Sequence, residues 1–164
     1  MIPKRMYFFW SGGTLSWMRY MTLYSFRKLN PDWEMILCLS ENTITKKNWD
    51  SYETQDFYNY GGNSYLEKIS ELSIHVESVK FPDDFKANII SPVHESDLYR
   101  YYKLYNDGGF YSDMDVLYFR PIDKFYNSLC ENNTNTVIHH CKSYATIGFL
   151  AAEKDNCFYK DLFN

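Results

Sequence analysis

Residues 96–115 read SDLYRYYKLYNDGGFYSDMD, a helical pattern separated from a strand pattern by two glycines. Apolar residues recur through the first half at the spacing of one helical face, so the sequence predicts a helix over 96–106. Gly108-Gly109 stands where glycine commonly ends a helix. The aromatic and β-branched residues from Phe110 to Phe119 then predict a strand.

Two aspartates in this strand pattern are candidate metal ligands. Because alternate residues of a strand face the same side, Tyr111, Asp113 and Asp115 are expected on one face. Carboxylates held about 5–7 Å apart repel each other unless a cation or water lies between them. Oxygen ligands suit Mn²⁺ or Mg²⁺, both of which keep positions for phosphate oxygens. The pattern therefore favours a Mn²⁺ or Mg²⁺ site at Asp113 and Asp115, although Asp-x-Asp alone is also common in solvated turns.

Asp97 and Arg100 add a second feature to the same stretch. Helix positions three apart share a face, so both side chains are expected to point towards the end of the strand that carries the aspartates. An ordinary ion pair on the surface of the helix is the alternative interpretation.

The beginning of the chain has the pattern of a nucleotide-binding domain. Met6–Trp10 predicts a buried strand that breaks at Ser11-Gly12-Gly13, and a helix over 15–29 follows and stops at Asn30-Pro31. Glu34–Leu39 predicts the next strand. A strand, helix, strand order is typical of α/β domains. Weaker patterns predict one or two helices within 43–72, strands over 73–79, 137–140 and 146–151, and a helix from 157.

Composition excludes several classes of protein. The 164 residues fit one domain, and 45% hydrophobic with 20% aromatic residues indicates a folded chain rather than a disordered one. A net charge of −4 argues against a nucleic-acid partner, which needs clustered Lys and Arg. The four cysteines lack C-x-x-C spacing. No run approaches the ~18–20 apolar residues of a membrane span, and the expected location is cytoplasmic, in a bacterium or, for a viral protein, in its host.

Two blocks of the chain resemble a known family, the DXD-containing sugar transferases. These include yeast-type initiating α-1,6-mannosyltransferases, the catalytic domains of large clostridial glucosylating toxins, and bacterial and viral relatives. The first block is 2–13 with the following Asn30-Pro31, and the second is 96–121, where Ser-Asp, Arg-Tyr, Gly-Gly, Tyr and Asp-x-Asp occur in the family's order and spacing.

The resemblance implies a Rossmann-like GT-A type fold that binds a nucleotide-diphosphate sugar, such as a UDP- or GDP-sugar, and transfers the sugar with retention of configuration. It implies that Asp115 binds the metal directly, and that Asp113 touches the ribose and the metal. It gives Asp97 and Arg100 contacts to sugar hydroxyls and places Tyr111 along the donor pocket.

Two further positions complete the predicted donor site. In the resembling toxins the position of Trp10 stacks on the nucleotide base, and an aromatic ring at a strand end suits that role, although Trp10 also fits an ordinary core. Gly12 permits close approach of the backbone to a ligand, as it would in a plain turn.

The prediction for the whole chain is one donor-binding and catalytic domain over 1–164, with its C-terminal acceptor part incomplete. The acceptor hydroxyl, on a glycan, lipid or protein, is not specified by these residues. Two other functions compete with an active transferase: a sugar-nucleotide-binding protein that has lost transfer activity, and an unrelated Mg²⁺-dependent phosphohydrolase.

Overall fold

A six-stranded sheet forms the centre of the structure, a computed structural model that describes residues 1–11, 13–40, 60–79 and 91–162. Its strands are β1 (Arg5–Trp10), β2 (Glu34–Leu39), β3 (His75–Glu77), β4 (Gly109–Ser112), β5 (Thr136–Cys141) and β6 (Tyr144–Ala152). The order across the sheet is β3-β2-β1-β4-β6-β5. The first four of these are parallel, β6 runs antiparallel to β4, and β5 runs antiparallel to β6.

Four α-helices and one 3₁₀-helix are described around the sheet. They are α1 (Trp17–Leu29), the 3₁₀-helix (Leu66–Leu72), α2 (Pro92–Asn106), α3 (Asp123–Glu131) and α4 (Cys157–Asp161). Side chains of Ser16 and Ser91 accept backbone hydrogen bonds at the starts of α1 and α2, as expected for N-caps. After α2 the chain turns at Gly108, whose φ of 67° lies in the left-handed region that favours glycine.

Residues of β1 alternate between two apolar cores, one on each face of the sheet. Met6, Phe8 and Trp10 pack on the face covered by α1, whereas Tyr7 and Phe9 pack on the face covered by α2 and α4. A strand that is buried on both faces is uninterrupted in its hydrophobic residues, which explains the apolar run at the start of the chain.

The carboxyl ends of β1 and β4 lie side by side where the order of the sheet reverses. From β1 the chain proceeds to β2 and β3 on one side, and β4 pairs with β1 on the other. Ligands of open α/β sheets bind in the crevice at such a switch point. Trp10 ends β1 and Asp113 follows β4 directly, so the fold brings these two predicted site residues to the same edge.

Most of the predicted elements are confirmed. Strand 34–39 has the predicted bounds, α1 ends at Leu29, and the helix from 157 is present. Helix α2 begins four residues before its prediction, at Pro92, and β3 is only three residues long. Helix α3 was not predicted, although Phe125, Tyr126, Leu129 and Cys130 lie at the spacing of one helical face. One or two helices are predicted within 43–72. Residues 43–59 of this stretch lie outside the described residues, and the 3₁₀-helix lies in the remainder.

The predicted strand over 110–119 is wrong in its length, because β4 ends at Ser112 and the chain then turns. Helix α1 binds this segment instead. The hydroxyl of Thr22 donates to the carbonyl of Met114 at 2.8 Å, and the amide of Tyr118 donates to Ser25 Oγ at 3.1 Å. Backbone groups that a strand pattern assigns to a neighbouring strand are thus satisfied by side chains of a helix.

None of the described helices combines the length and the apolar character that crossing a bilayer requires.

We expect Phe26→Ala to lower the free energy of unfolding by about 3–5 kcal/mol. The Phe26 ring is fully buried and meets Phe8, Trp33 and Tyr118 edge to face, with centroids 4.9–5.8 Å away. Phe119→Ala is the matched control, because the side chain of Phe119 is 81% exposed and its loss should cost under about 0.5 kcal/mol. Urea denaturation of both variants checks this, and equal losses would contradict the described core.

Candidate functional site

A buried arginine organises the site. Arg100, on α2, is only 4% exposed in its side chain and lies over the ring of Tyr111 with 4.4 Å from Cζ to the ring centroid. Its guanidinium donates to the carbonyl of Ile147 at 2.6 Å and to both the hydroxyl and the carbonyl of Ser96 at 2.9 and 3.3 Å. Buried charges require such partners, so Arg100 ties α2 to β4 and β6.

Two aspartates are paired with this guanidinium. Asp97 Oδ1 lies 3.0 Å from Arg100 Nη2, and Asp113 Oδ1 lies 3.3 Å from the same nitrogen. The predicted shared helix face of Asp97 and Arg100 is therefore confirmed, and the pair is built into the site rather than isolated on the surface. Burial raises the pKa of the Asp97 carboxyl, and the neighbouring Arg100 opposes that rise.

The carboxyl of Asp113 is held by Tyr111 as well as by Arg100, and its backbone is tied to β6. Tyr111 donates its hydroxyl hydrogen bond to Asp113 Oδ1 at 3.0 Å, and the amide of Asp113 donates to the carbonyl of Gly148 at 2.8 Å. Burial raises the pKa of Asp113, Arg100 lowers it, and the charge of Asp115 raises it again. The two aspartates are therefore close enough for their charges to interact.

Gly148 packs directly against this carboxyl. A Cβ atom placed on Gly148 would lie 2.8 Å from Asp113 Oδ2, which is closer than real Cβ atoms approach. The glycine therefore leaves the room that the carboxyl occupies.

Asp115 lies in the turn after β4, and its side chain is 64% exposed. The prediction that Tyr111, Asp113 and Asp115 share one strand face is wrong, because the strand has ended before Asp113 and α1 binds the following segment. Asp115 instead pairs with Arg19 of α1, with Oδ2 and Nη1 3.7 Å apart. Each predicted metal ligand thus has its own arginine.

A cavity of about 450 Å³ opens beside Asp115, between the first turns of α1 and the segment after β4. Trp10, Thr14, Ser16 and Arg19 are among the residues that line it. The ring of Trp10 is both a member of the α1-side core and part of this wall, so the two interpretations of Trp10 are compatible. The volume falls within the roughly 300–1,000 Å³ of small-molecule sites. Gly12 lies outside the described residues.

A buried glutamate connects the strand ends around this edge. Glu95, fully buried in the first turn of α2, accepts hydrogen bonds from Ser40 Oγ at 2.7 Å and from Ser11 Oγ at 3.3 Å. Ser11 follows β1 and Ser40 follows β2. Glu95 therefore holds α2, with Asp97 and Arg100, against both strands.

The two aspartates fit a divalent ion as an incomplete ligand set. Among residues 1–11, 13–40, 60–79 and 91–162, no group of three or more His, Cys, Asp or Glu side chains could hold a metal. Asp115 lies on the wall of the cavity, and two carboxylate ligands would leave coordination positions for water and phosphate oxygens, which Mg²⁺ and Mn²⁺ commonly retain.

Several residues of the site have no signal in the sequence that could have revealed them. Arg19 and Glu95 belong to ordinary helical patterns, and Ile147 contributes only a backbone carbonyl. Ser96 lies within the 96–115 stretch, but a serine in a helical pattern does not indicate which group will hydrogen-bond to it. Gly148 is an isolated strand glycine, which does suggest close approach of another group.

The family model described as "Glycosyltransferase sugar-binding region containing DXD motif" matches residues 16–136. Among curated proteins there is no significant match.

Solved structures share the fold. The PaToxG glycosyltransferase aligns with a TM-score of 0.66 at 15% identity, over 97% of this chain and 57% of that one. The glycosyltransferase domain from the YGT toxin aligns in its UDP-bound form (TM-score 0.58, 13% identity, 98% of this chain and 60% of that one) and in its ligand-free form (0.57, 14%, 98% and 61%). The predicted GT-A type fold is thereby confirmed, and the chain spans about three fifths of the length of these structures.

We expect Gly148→Ala to weaken Mn²⁺-dependent binding of UDP at least about tenfold, because the new Cβ displaces the Asp113 carboxyl, and a hydrogen bond to a charged group is worth roughly 1.5–3 kcal/mol. The melting temperature should fall as well, because the displaced carboxyl is an ion-pair partner of the buried Arg100, so the affinity is measured at a temperature at which the variant is folded. Isothermal titration with UDP in Mn²⁺ measures the affinity. Gly61→Ala is the control, because a Cβ there meets nothing within 4 Å. Unchanged affinity in Gly148→Ala would show that Asp113 is not needed in this position.

Proposed function

This chain belongs to the family of glycosyltransferase sugar-binding regions that contain the DXD motif, and we propose that it transfers a sugar from a nucleotide-diphosphate sugar to an acceptor hydroxyl with a divalent ion as cofactor. The observation that supports this most directly is the Arg100 cluster. It joins Asp97, Tyr111 and Asp113, which the family resemblance assigns to the donor, within hydrogen-bonding and stacking distance of one guanidinium.

The donor would lie along the edge formed by the ends of β1 and β4. Trp10 would meet the base, and the sugar would reach Asp97 and Arg100. A UDP-bound relative of the same fold supports a uridine nucleotide, and a GDP-sugar is the second candidate within the proposal. Base stacking on an aromatic ring contributes about 1–3 kcal/mol in other nucleotide sites.

The roles that we propose for Arg100 and Asp115 follow from the burial of their side chains. Arg100, which is buried and held by backbone carbonyls, positions the carboxyls of Asp97 and Asp113 and opposes the rise in their pKa that burial causes. Asp115, which is exposed at the cavity and paired with Arg19 only at 3.7 Å, would bind the cation. Mn²⁺ or Mg²⁺ at Asp113 and Asp115 would supply Lewis acidity to the leaving diphosphate.

Retention of configuration is part of the proposal. Each carboxylate of the site is paired with an arginine, an arrangement that suits binding better than attack on the sugar. Attack by the acceptor hydroxyl on the face from which the diphosphate departs would give retention without a covalent intermediate. The acceptor, whether a glycan, a lipid or a protein, is outside what the site residues specify.

We expect UDP or GDP to raise the melting temperature when Mn²⁺ is present and to lose that effect in excess EDTA. A ligand that binds only the folded state stabilises it by about 2.7 kcal/mol at a hundredfold excess over its Kd. A thermal melt of the whole chain measures the shift.

The same samples, given UDP- and GDP-sugars, should release nucleoside diphosphate in a Mn²⁺-dependent hydrolysis. Equal stabilisation with and without EDTA would contradict the metal site, and binding without turnover would identify a protein that has lost transfer.

We expect Asp115→Asn to reduce this turnover at least about tenfold while the metal-free protein melts as the parent does. The amide keeps the shape of the side chain but removes the charge that holds the cation, and losing about 1.4 kcal/mol of transition-state stabilisation costs tenfold in rate. Because the Asp115 side chain is exposed, the substitution should cost little stability. Asp161→Asn, on the exposed surface of α4, is the matched control. Turnover within about threefold of the parent at saturating Mn²⁺ would exclude Asp115 as the principal ligand.

A further inference from the structure

The two aspartates of the DXD motif are held by two arginines in very different settings. Arg100 is 4% exposed and bound to Asp97, Asp113 and two backbone carbonyls, so its position is fixed by the fold. Arg19 is 28% exposed, and its guanidinium meets Asp115 at 3.7 Å, beyond the usual hydrogen-bond distance. The first pair is structural, whereas the second can open at small cost, because exposed ion pairs contribute about 0–1 kcal/mol.

A divalent ion and the guanidinium of Arg19 would compete for the carboxylate of Asp115. Both are cations, and Asp115 and Arg19 line the same cavity. A metal ion bound to Asp115 would therefore repel the guanidinium and weaken its pairing with Asp115.

The released guanidinium remains on the wall of the cavity. Arg19 lies in the first turn of α1, and Thr14, Ser16, Trp10 and Asp115 line the same space. A guanidinium presents paired N–H donors that match the oxygens of a phosphate, so a diphosphate beside the metal would be a suitable new partner.

We propose that Arg19 exchanges partners when the donor binds: it holds Asp115 in the metal-free protein and turns to the diphosphate once the divalent ion takes Asp115. This inference rests on the proposed function and adds a residue outside the family's motif to the donor site. It predicts two effects of opposite sign from one substitution. Removing the charge of Arg19 should favour the metal alone and disfavour the nucleoside diphosphate.

The test compares Arg19→Gln with the parent in two titrations of the full chain. With MnCl₂ alone, followed by the electron paramagnetic resonance of free Mn²⁺, Arg19→Gln should bind the ion up to about fivefold tighter, because a competing surface ion pair has gone. With UDP in saturating Mn²⁺, followed by calorimetry, it should bind roughly tenfold more weakly or worse. UMP, which lacks the second phosphate, should lose less affinity than UDP.

Two variants serve as controls. Lys28→Gln removes a positive charge from the exposed last turn of the same helix and should change neither titration. Arg19→Lys keeps the charge without the paired donors and should bind UDP between the parent and Arg19→Gln. It also preserves the comparison if Arg19→Gln proves less stable in a thermal melt.

The proposal requires both effects of Arg19→Gln, tighter binding of Mn²⁺ and weaker binding of UDP. If Arg19→Gln binds Mn²⁺ no tighter than Lys28→Gln, or binds UDP as the parent does, the exchange is wrong even though the parent binds both ligands. A parent that binds neither Mn²⁺ nor UDP would overturn the proposed function together with the exchange.

Discussion

A single buried guanidinium constrains the whole donor edge. Arg100 is almost fully shielded from solvent, so its donors must be satisfied from inside the protein. They are satisfied by groups of α2, by Asp113 after β4 and by the carbonyl of Ile147 in β6. Removing one partner of a buried ion pair typically costs about 3–5 kcal/mol. The position of Asp113 is therefore a consequence of folding rather than of ligand binding, which is how a site becomes preorganised for charge.

The topology of the sheet explains why the Arg100 cluster lies at the edge where open α/β sheets bind their ligands. The order β3-β2-β1-β4-β6-β5 reverses between β1 and β4, and the ends of these two strands open a crevice. Glu95 accepts hydrogen bonds from the serines that follow β1 and β2, and it thereby joins both strand ends to the start of α2. Arg100, on the same helix, then reaches β4. One helix thus holds the ends of β1 and β2 against the aspartate that follows β4.

The balance of charge gives the two aspartates distinct characters. Asp113 lies between Tyr111 and Arg100 and has little freedom, whereas Asp115 is exposed and paired at long distance with Arg19. A rigid carboxylate beside an adaptable one would suit the divalent cation proposed above. The arrangement also limits the repulsion that two neighbouring carboxylates would otherwise suffer in the metal-free protein.

Local sequence was sufficient for the features that depend on local geometry. Helical spacing put Asp97 and Arg100 on one face, an apolar run defined β2, and Gly108 marked the end of α2. The strand predicted from side-chain periodicity is wrong after Ser112, where the chain leaves the sheet. There Thr22, which is 92 positions earlier than Met114, donates a hydrogen bond to the Met114 carbonyl.

The partners of Arg19 and Gly148 could not be assigned for the same reason, since Asp115 and Asp113 are distant from them in sequence. The pattern of side chains along a strand or helix reports only which face is apolar. Hydrogen bonds and steric contacts between distant segments depend on which surfaces folding brings together.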